Sequence, residues 1–333
     1  MGMVERVHHC PNCGAVVSAS RFTRVATCAF CGASVHLDDA VLSVARFRAA
    51  HQAWRAPDPA LAAHSVVAGG ESWIRLARIA AGEISDVFQV QRQRRPPERA
   101  VLKLLRDPGD APLFAQEWRA LEQLAASRAQ GADILARRVP QPIRFDPHPA
   151  AGPPAMLLGW APGFRHTFDD VRAALPGGVE PRAAVWMWRR ILEILALVHR
   201  SGLVHGAVLP QHLLVERGEH GLRLVGFSCA AAAGEPLLAV CVPRERFYPR
   251  DLVDGGRLRP EHDVAMSARA IGFALAADDA GRLPGAVPAR LAELVDEVAR
   301  GRGEQSAWPL RERLGALAGE LFGPPAFCPL AVA

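Results

Sequence analysis

Four cysteines near the start of the chain carry the clearest chemical pattern in the sequence. They form CPNCG (Cys10, Cys13) and CAFCG (Cys28, Cys31), two C-x2-C pairs separated by fourteen residues. A C-x2-C turn aims two thiolates at one point, and two such turns supply the four soft ligands that tetrahedral zinc takes. Gly14 and Gly32 follow the pairs, where a tight knuckle needs a residue without a side chain. Four thiolates fill the coordination sphere, so the expected role of Cys10, Cys13, Cys28 and Cys31 is a structural zinc centre with no position open to substrate. A module shorter than about 40 residues depends on such a metal to fold. The stretch between the pairs, AVVSASRFTRVAT, is expected to form a short hairpin. Cys229, Cys241 and Cys328 have no ligand spacing and read as ordinary thiols.

A second chemical signal is a single amine. Of 39 basic residues, Lys103 is the only lysine; Asn12 is likewise the only asparagine and Tyr248 the only tyrosine. A coding bias towards Ala, Arg, Gly and Pro accounts for the arginines. The net charge of +5 is spread along the chain rather than clustered, which makes a weak footprint for nucleic acid. No apolar run of about 18 residues is present, so no transmembrane helix is expected. The start, MGMVERVHHCPNC, lacks the apolar core of a signal peptide, and the expected location is cytoplasmic.

The elements that must position these residues can be read in order. AVLSVARFRAAHQAW has helical periodicity, and RAPDPALAAHSVVAGGES reads as a linker. WIRLARIAAGEISDVFQV predicts two strands around a turn, and RAVLKLL a third, ending near Lys103. PLFAQEWRALEQLAA predicts a helix with Phe114, Trp118, Leu121 and Leu124 on one face. AMLLGWAPGF predicts a further strand. PRAAVWMWRRILEILALVHRSG is a long helix stopped by Gly202. LVHGAVLPQHLLV, LRLVGFS and PEHDVAMSARAIGFALAAD follow.

The stretch from residue 8 to 34 resembles a zinc ribbon, and residues 73 to 320 resemble a protein kinase, of the bacterial Ser/Thr kind. AAGEISDVF stands at the Gly-rich loop, keeping Gly82 and Val87. AVLK stands at the V-A-I-K strand, with Val101 for the alanine and Lys103 for the lysine that holds phosphates and pairs with a helix glutamate. Glu117 is placed for that pairing. Leu158 stands at the gatekeeper, Trp160 in the hinge and Leu214 beneath the adenine position. The resemblance implies an α+β, bilobal protein kinase-like fold with a β-rich small lobe and a mostly helical large lobe, preceded by the small β ribbon. The expected domains are 1–40 (zinc ribbon), 41–72 (helix and linker) and 73–328 (kinase-like, with lobes 73–158 and 163–328).

Against the kinase catalytic loop H-R-D-L-x-x-x-N, LVHGAVLPQH keeps His205 but has Gly206 for the arginine, Ala207 for the base and His212 for the metal-binding asparagine. In place of D-F-G stands GFS, with Gly226 for the aspartate. Losing a general base typically costs about 10²–10⁴ in rate. Losing both magnesium ligands costs more, because phosphoryl transfer rests on positioning and charge neutralisation. Gly206 also removes the arginine that would grip a loop phosphate. His205, Phe227 and Leu121 match members of a packed hydrophobic column, and Asp263 the aspartate that anchors it.

The expectation is a pseudokinase serving as a signalling or scaffold module, with structural zinc, an unidentified protein partner, and ATP bound weakly without magnesium or not at all. Val101 would press on an adenine. Two alternatives stay open: an atypical phosphotransferase or nucleotidyl transferase, and a zinc-ribbon nucleic-acid-binding protein using Arg21 and Arg24. No membrane contact is expected.

Overall fold

In the computed structural model, residues 6–10, 12–19, 25–37, 65–92, 98–150, 152–216, 220–328 and 330 are described. The helix expected over 40–54 lies outside them, as do Arg21 and Arg24. Each C-x2-C pair forms the turn of its own hairpin. β1 (Arg6–His9) pairs with β2 (Val16–Ala19), and β3 (Val25–Thr27) with β4 (Ser34–His36), both antiparallel. This corrects the expectation of one hairpin between the pairs. The reason is local: the Cys10 N–H donates to the Ala15 carbonyl and the Gly14 N–H to Cys10, each at 2.8 Å. Cys28, Gly32 and Ala33 repeat both bonds at 2.8 Å. The chain therefore reverses at the cysteines, and the strands flanking each pair become partners.

An antiparallel sheet of six strands follows, in the order β5-β6-β7-β8-β10-β9. Its members are β5 (Ser65–Ala68), β6 (Glu71–Ala81), β7 (Ser85–Arg92), β8 (Glu98–Leu105), β9 (Pro142–Asp146) and β10 (Ala155–Gly159). β5 corrects the reading of 55–72 as linker throughout: SVVA turns at Gly69 and Gly70 and pairs with β6. One sheet face buries Trp73, Phe88, Val90, Ala100, Leu102 and Leu157 together. Alternation on β7 and β8 makes this so, since every second residue points to that face. Helix α1 (Ala111–Ala125) buries Phe114, Leu121 and Leu124. Trp118, half-buried, stacks on Phe145 of β9 at 5.5 Å.

The remaining elements are mostly helical: α2 (Ala132–Leu135), α3 (Phe168–Ala174), α4 (Pro181–Arg200), α5 (Arg250–Val253), α6 (Pro260–Ala274), α7 (Ala289–Ala299) and α8 (Ala307–Phe322). A small sheet joins β11 (His166–Thr167), β12 (Leu213–Glu216) and β13 (Gly221–Leu224). Pro181 occupies the first turn of α4, where its missing N–H costs nothing, and the Glu180 carboxylate accepts from the Ala183 N–H at 3.2 Å. α4 is buried nearly all round, from Ala183 to Trp188 and from Arg190 to Val198, as a core helix must be. It packs against α6, α8 and β13, and the Trp188 indole donates to Ser267 of α6 at 3.0 Å.

The chain divides into two compact units. One comprises the described residues of Met1–Asp38, Ser127–Val139 and Gly163–Ala333; the other those of Asp39–Ala126 and Pro140–Pro162. The cysteine hairpins thus belong with the helical unit. Among the described residues no helix is long and apolar enough to cross a membrane.

Candidate functional site

The two knuckles bring Cys10, Cys13, Cys28 and Cys31 to one point. All four are buried and their Sγ atoms lie within 4.8 Å of one another, with Cys10–Cys31 at 3.5 Å and Cys13–Cys28 at 3.6 Å. Zinc bound tetrahedrally at about 2.3 Å sets its sulfurs about 3.8 Å apart, so this donor set fits and can hold such a metal. Gly14 (φ +76°) and Gly32 (φ +72°) adopt the left-handed conformation that lets the amides close on the cysteines. Hydrogen bonds from the Cys10 and Cys13 thiols, with the nearby Arg190 charge, hold the Cys31 sulfur well below the usual thiol range despite its burial.

The centre is seated on the helical part of its own unit. A Cβ at Gly14 would come within 2.9 Å of Ile134 in α2, so close packing as well as φ calls for glycine there. Arg138, just after α2, donates to the Asn12 carbonyl and, at 3.0 Å, to Asn12 Oδ1. Arg190 of α4 donates to the Cys31 carbonyl at 3.1 Å and to Glu193 at 2.7 Å. Arg311 of α8 donates twice to Glu193 at 3.2 Å and lies over the Phe30 ring. Burial, and then the Arg190 charge, push the Arg138 guanidinium down to about 10. Sequence reasoning missed these residues.

Between α4 and β12 the chain passes through His205, Gly206 and Ala207. Asp263, wholly buried at the start of α6, accepts from the backbone N–H of His205 at 2.7 Å and of Gly206 at 2.9 Å, and its Oδ2 lies 2.9 Å from His199 Nε2. Against the cost of burial, the His199 hydrogen bond and the nearby histidines hold its carboxyl below the usual carboxylate range. The Ala207 N–H donates to His205 Nδ1 at 3.2 Å, which leaves Nε2 as the protonated nitrogen facing the Val225 carbonyl at 3.1 Å. His205 is fully buried, with Phe227 edge-on to its ring at 4.5 Å. Burial pushes its pKa down to about 4, against the Asp263 charge. A neutral imidazole with both nitrogens engaged is a packing element, not a base facing solvent.

In the six-stranded sheet, register places Val87, Lys103 and Met156 in one cross-strand row and Gln89, Val101 and Leu158 in the next. Val87, Val101, Lys103 and Leu158 therefore share a face. Lys103 Nζ forms an ion pair with Glu117 of α1, whose side chain is 1% exposed. Gly82 sits in the tight turn between β6 and β7. Its N–H donates to the Ser85 carbonyl at 2.8 Å, and its own carbonyl accepts from Arg106 at 2.8 Å. Trp160 follows β10, half-buried. Leu214 lies on β12 in the other unit, opposite Arg223.

No family model matches the chain, and no curated protein matches it. Among solved structures it is similar to the crystal structure of a rhoptry kinase from Toxoplasma gondii, at 14% identity and a TM-score of 0.57, covering 77% of this chain and 83% of that one. It is similar also to the BubR1 kinase domain, at 12% identity and a TM-score of 0.57, with the same coverage. The fold is protein kinase-like. The six-stranded sheet with α1 corresponds to the β-rich lobe of that fold, and the unit built on α4 and α6 to its helical lobe.

The sequence resemblance expects Ala207, His212 and Gly226 at the positions of the base and the two magnesium-binding side chains. Ala207 is buried and offers only a methyl group. His212 turns inwards, its Nδ1 2.8 Å from the Ala207 carbonyl. Gly226 has φ +78°, and a Cβ there would come within 2.6 Å of the His212 ring. The imidazole thus fills the space into which a side chain at 226 would project. Magnesium takes hard oxygen ligands, and neither residue offers a side-chain oxygen.

Proposed function

We propose that this chain is a pseudokinase: a protein kinase-like fold that has given up phosphoryl transfer and serves as a binding or scaffold module in signalling. The observation that carries this reading is the packing of His212 against Gly226. It is more than the loss of two ligands by substitution, because the volume a metal-binding aspartate would use is taken by an imidazole anchored to the Ala207 carbonyl. Restoring an aspartate at 226 alone would not fit while His212 keeps its place.

The Lys103–Glu117 ion pair supports a retained nucleotide-facing surface on the β-rich lobe. Three features oppose tight binding. The Gly82 amide is used within its own turn, Val101 adds methyl groups on the shared sheet face, and neither His212 nor Gly226 offers an oxygen for a magnesium ion to neutralise phosphates. Weak, metal-independent nucleotide binding or none follows. The four cysteines hold structural zinc in this reading, since four thiolates leave no position for a substrate. The partner is a protein whose chemistry the sequence does not identify.

A thermal-shift titration with ATP tests this directly, run with and without magnesium and alongside a phosphate-transfer assay. The expected result is no transfer and a small shift unaffected by magnesium. Strong magnesium-dependent stabilisation, or transfer abolished by Lys103→Met, would overturn the reading.

A further inference from the structure

Away from the kinase-like positions, the helical unit buries a cluster of charges. Arg138, Arg190, Arg311 and Glu193 are 3%, 3%, 8% and 3% exposed. They come from the turn after α2, from α4 and from α8, and they meet beside the cysteine centre. Three guanidiniums face one carboxylate, so two positive charges remain in the interior. Arg138 Nε and Nη1 and Arg190 Nε find no hydrogen-bond partner. An uncompensated buried charge is strongly destabilising. Arg189, half-buried at the rim, adds to the excess of positive charge. His220, stacked between Trp186 at 4.4 Å and Phe327 at 4.5 Å, does not add to it, because burial favours its neutral form.

Among the described residues, the four cysteines beside these arginines are the candidate source of the missing negative charge. A zinc ion held by four thiolates carries two negative charges in total. Arg138 and Arg190 bond to the knuckle backbone itself, at Asn12 in the first pair and Cys31 in the second. We propose, resting on the zinc reading above, that Arg138 and Arg190 are the counter-ions of the zinc–thiolate centre, and that bound metal thereby holds core helix α4 in its native packing. On this view the ribbon is an internal latch of the helical lobe rather than a free arm. Two further seats fit that role: Gly14 against Ile134, and Asn12 Nδ2 donating to the His220 carbonyl at 3.5 Å.

The test uses the full chain, purified with its zinc and metal content measured. Zinc affinity is read by competition with a chromophoric chelator, and α4 by hydrogen exchange over residues 183–198. Arg190→Met and Arg138→Met are each expected to weaken zinc by about 10–100-fold, the usual cost of removing a group that supports metal ligands. Arg290→Met, at an exposed pair with Glu320, is expected to leave affinity unchanged. Stripping zinc from the wild-type chain is expected to speed exchange in α4 by about tenfold or more. That arm needs no variant, so it decides the matter if a Met variant fails to fold. A chain that takes up no zinc overturns the metal reading and this proposal with it. Zinc held at wild-type affinity by both Met variants, or α4 exchange indifferent to stripping, overturns this proposal alone.

Discussion

The cysteine knuckles and the His205–His212 loop are built alike and equipped differently. Both are turns closed by backbone hydrogen bonds: the knuckles through Gly14 and Gly32, the loop through the Asp263 carboxylate. The knuckles keep every side chain their chemistry needs. The loop is held in its path and, in the reading proposed above, lacks the base and both metal ligands. The knuckle strands span three or four residues each, so the sulfur donors are their means of folding. The loop is held from outside, by Asp263, by His205 against Phe227 and by the helices around them. Its side chains at 207 and 212 can change without the loop losing its course. Chemistry persists where it is also the structure.

That contrast can be broken most severely at the knuckles. Cys28→Ser is expected to drop zinc from about one per chain to near none, and to bring the ribbon amides to unfolded exchange rates, since structural zinc sites bind with about 10–16 kcal/mol. Metal analysis and exchange mass spectrometry measure both. Next in size, Asp263→Ala strands the His205 and Gly206 amides and the His199 imidazole, and is expected to cost about 3–5 kcal/mol in denaturant unfolding. The equivalent loss at Ala207 would be negligible.

Acid sharpens the comparison further. His205 is held neutral with its pKa near 4, below its ordinary 6.5, so the unfolded chain takes up the proton first. Stability from this group is intact above pH 6.5 and is lost as pH falls towards 4, by about 3 kcal/mol in all. Asp263, His199 and His212 are the titratable groups around it, and the Asp263 contribution fades only at lower pH still. Thermal melts between pH 7.5 and 4.5 should follow this slope, and His205→Phe should flatten it. Smallest of the four, Gly226→Ala is expected to cost about 2 kcal/mol, from the left-handed backbone and a displaced His212. A neutral effect in equilibrium unfolding would show that the imidazole moves aside freely.

Much of this was legible because it is written in short range. The strand alternation around Lys103, the amphipathic face of α1, the stop at Gly202 and the paired cysteines all depend on neighbours a few residues apart. Glu117 is legible as the Lys103 partner through the kinase resemblance, which pairs that lysine with a glutamate of the next helix. β5 was hidden by its composition: SVVA is small and borders Pro-rich sequence, although the Gly69–Gly70 pair was a hairpin signal. The cross-pairing of the knuckles was lost because the intervening segment alternates well enough to pair with itself. Arg138, Arg190 and Arg311 were invisible for a different reason. In a chain with 38 arginines, these three carry no contrast, and only tertiary packing decides which are buried. Arg190 and Glu193, one turn apart in the apolar middle of α4, were the trace that could have been read.

The bond from Asn12 to the His220 carbonyl joins residues 208 positions apart, and His220 in turn lies 2.7 Å from the carbonyl of Cys328. During synthesis the first knuckle therefore leaves the ribosome long before either seat exists. At about 5–20 residues per second, the wait for His220 alone is about 10–40 s. For that interval the knuckles must stand as a separate folding unit, with the surface that will meet Arg138 and Arg190 open to water. The part made first thus waits for the parts that seat it.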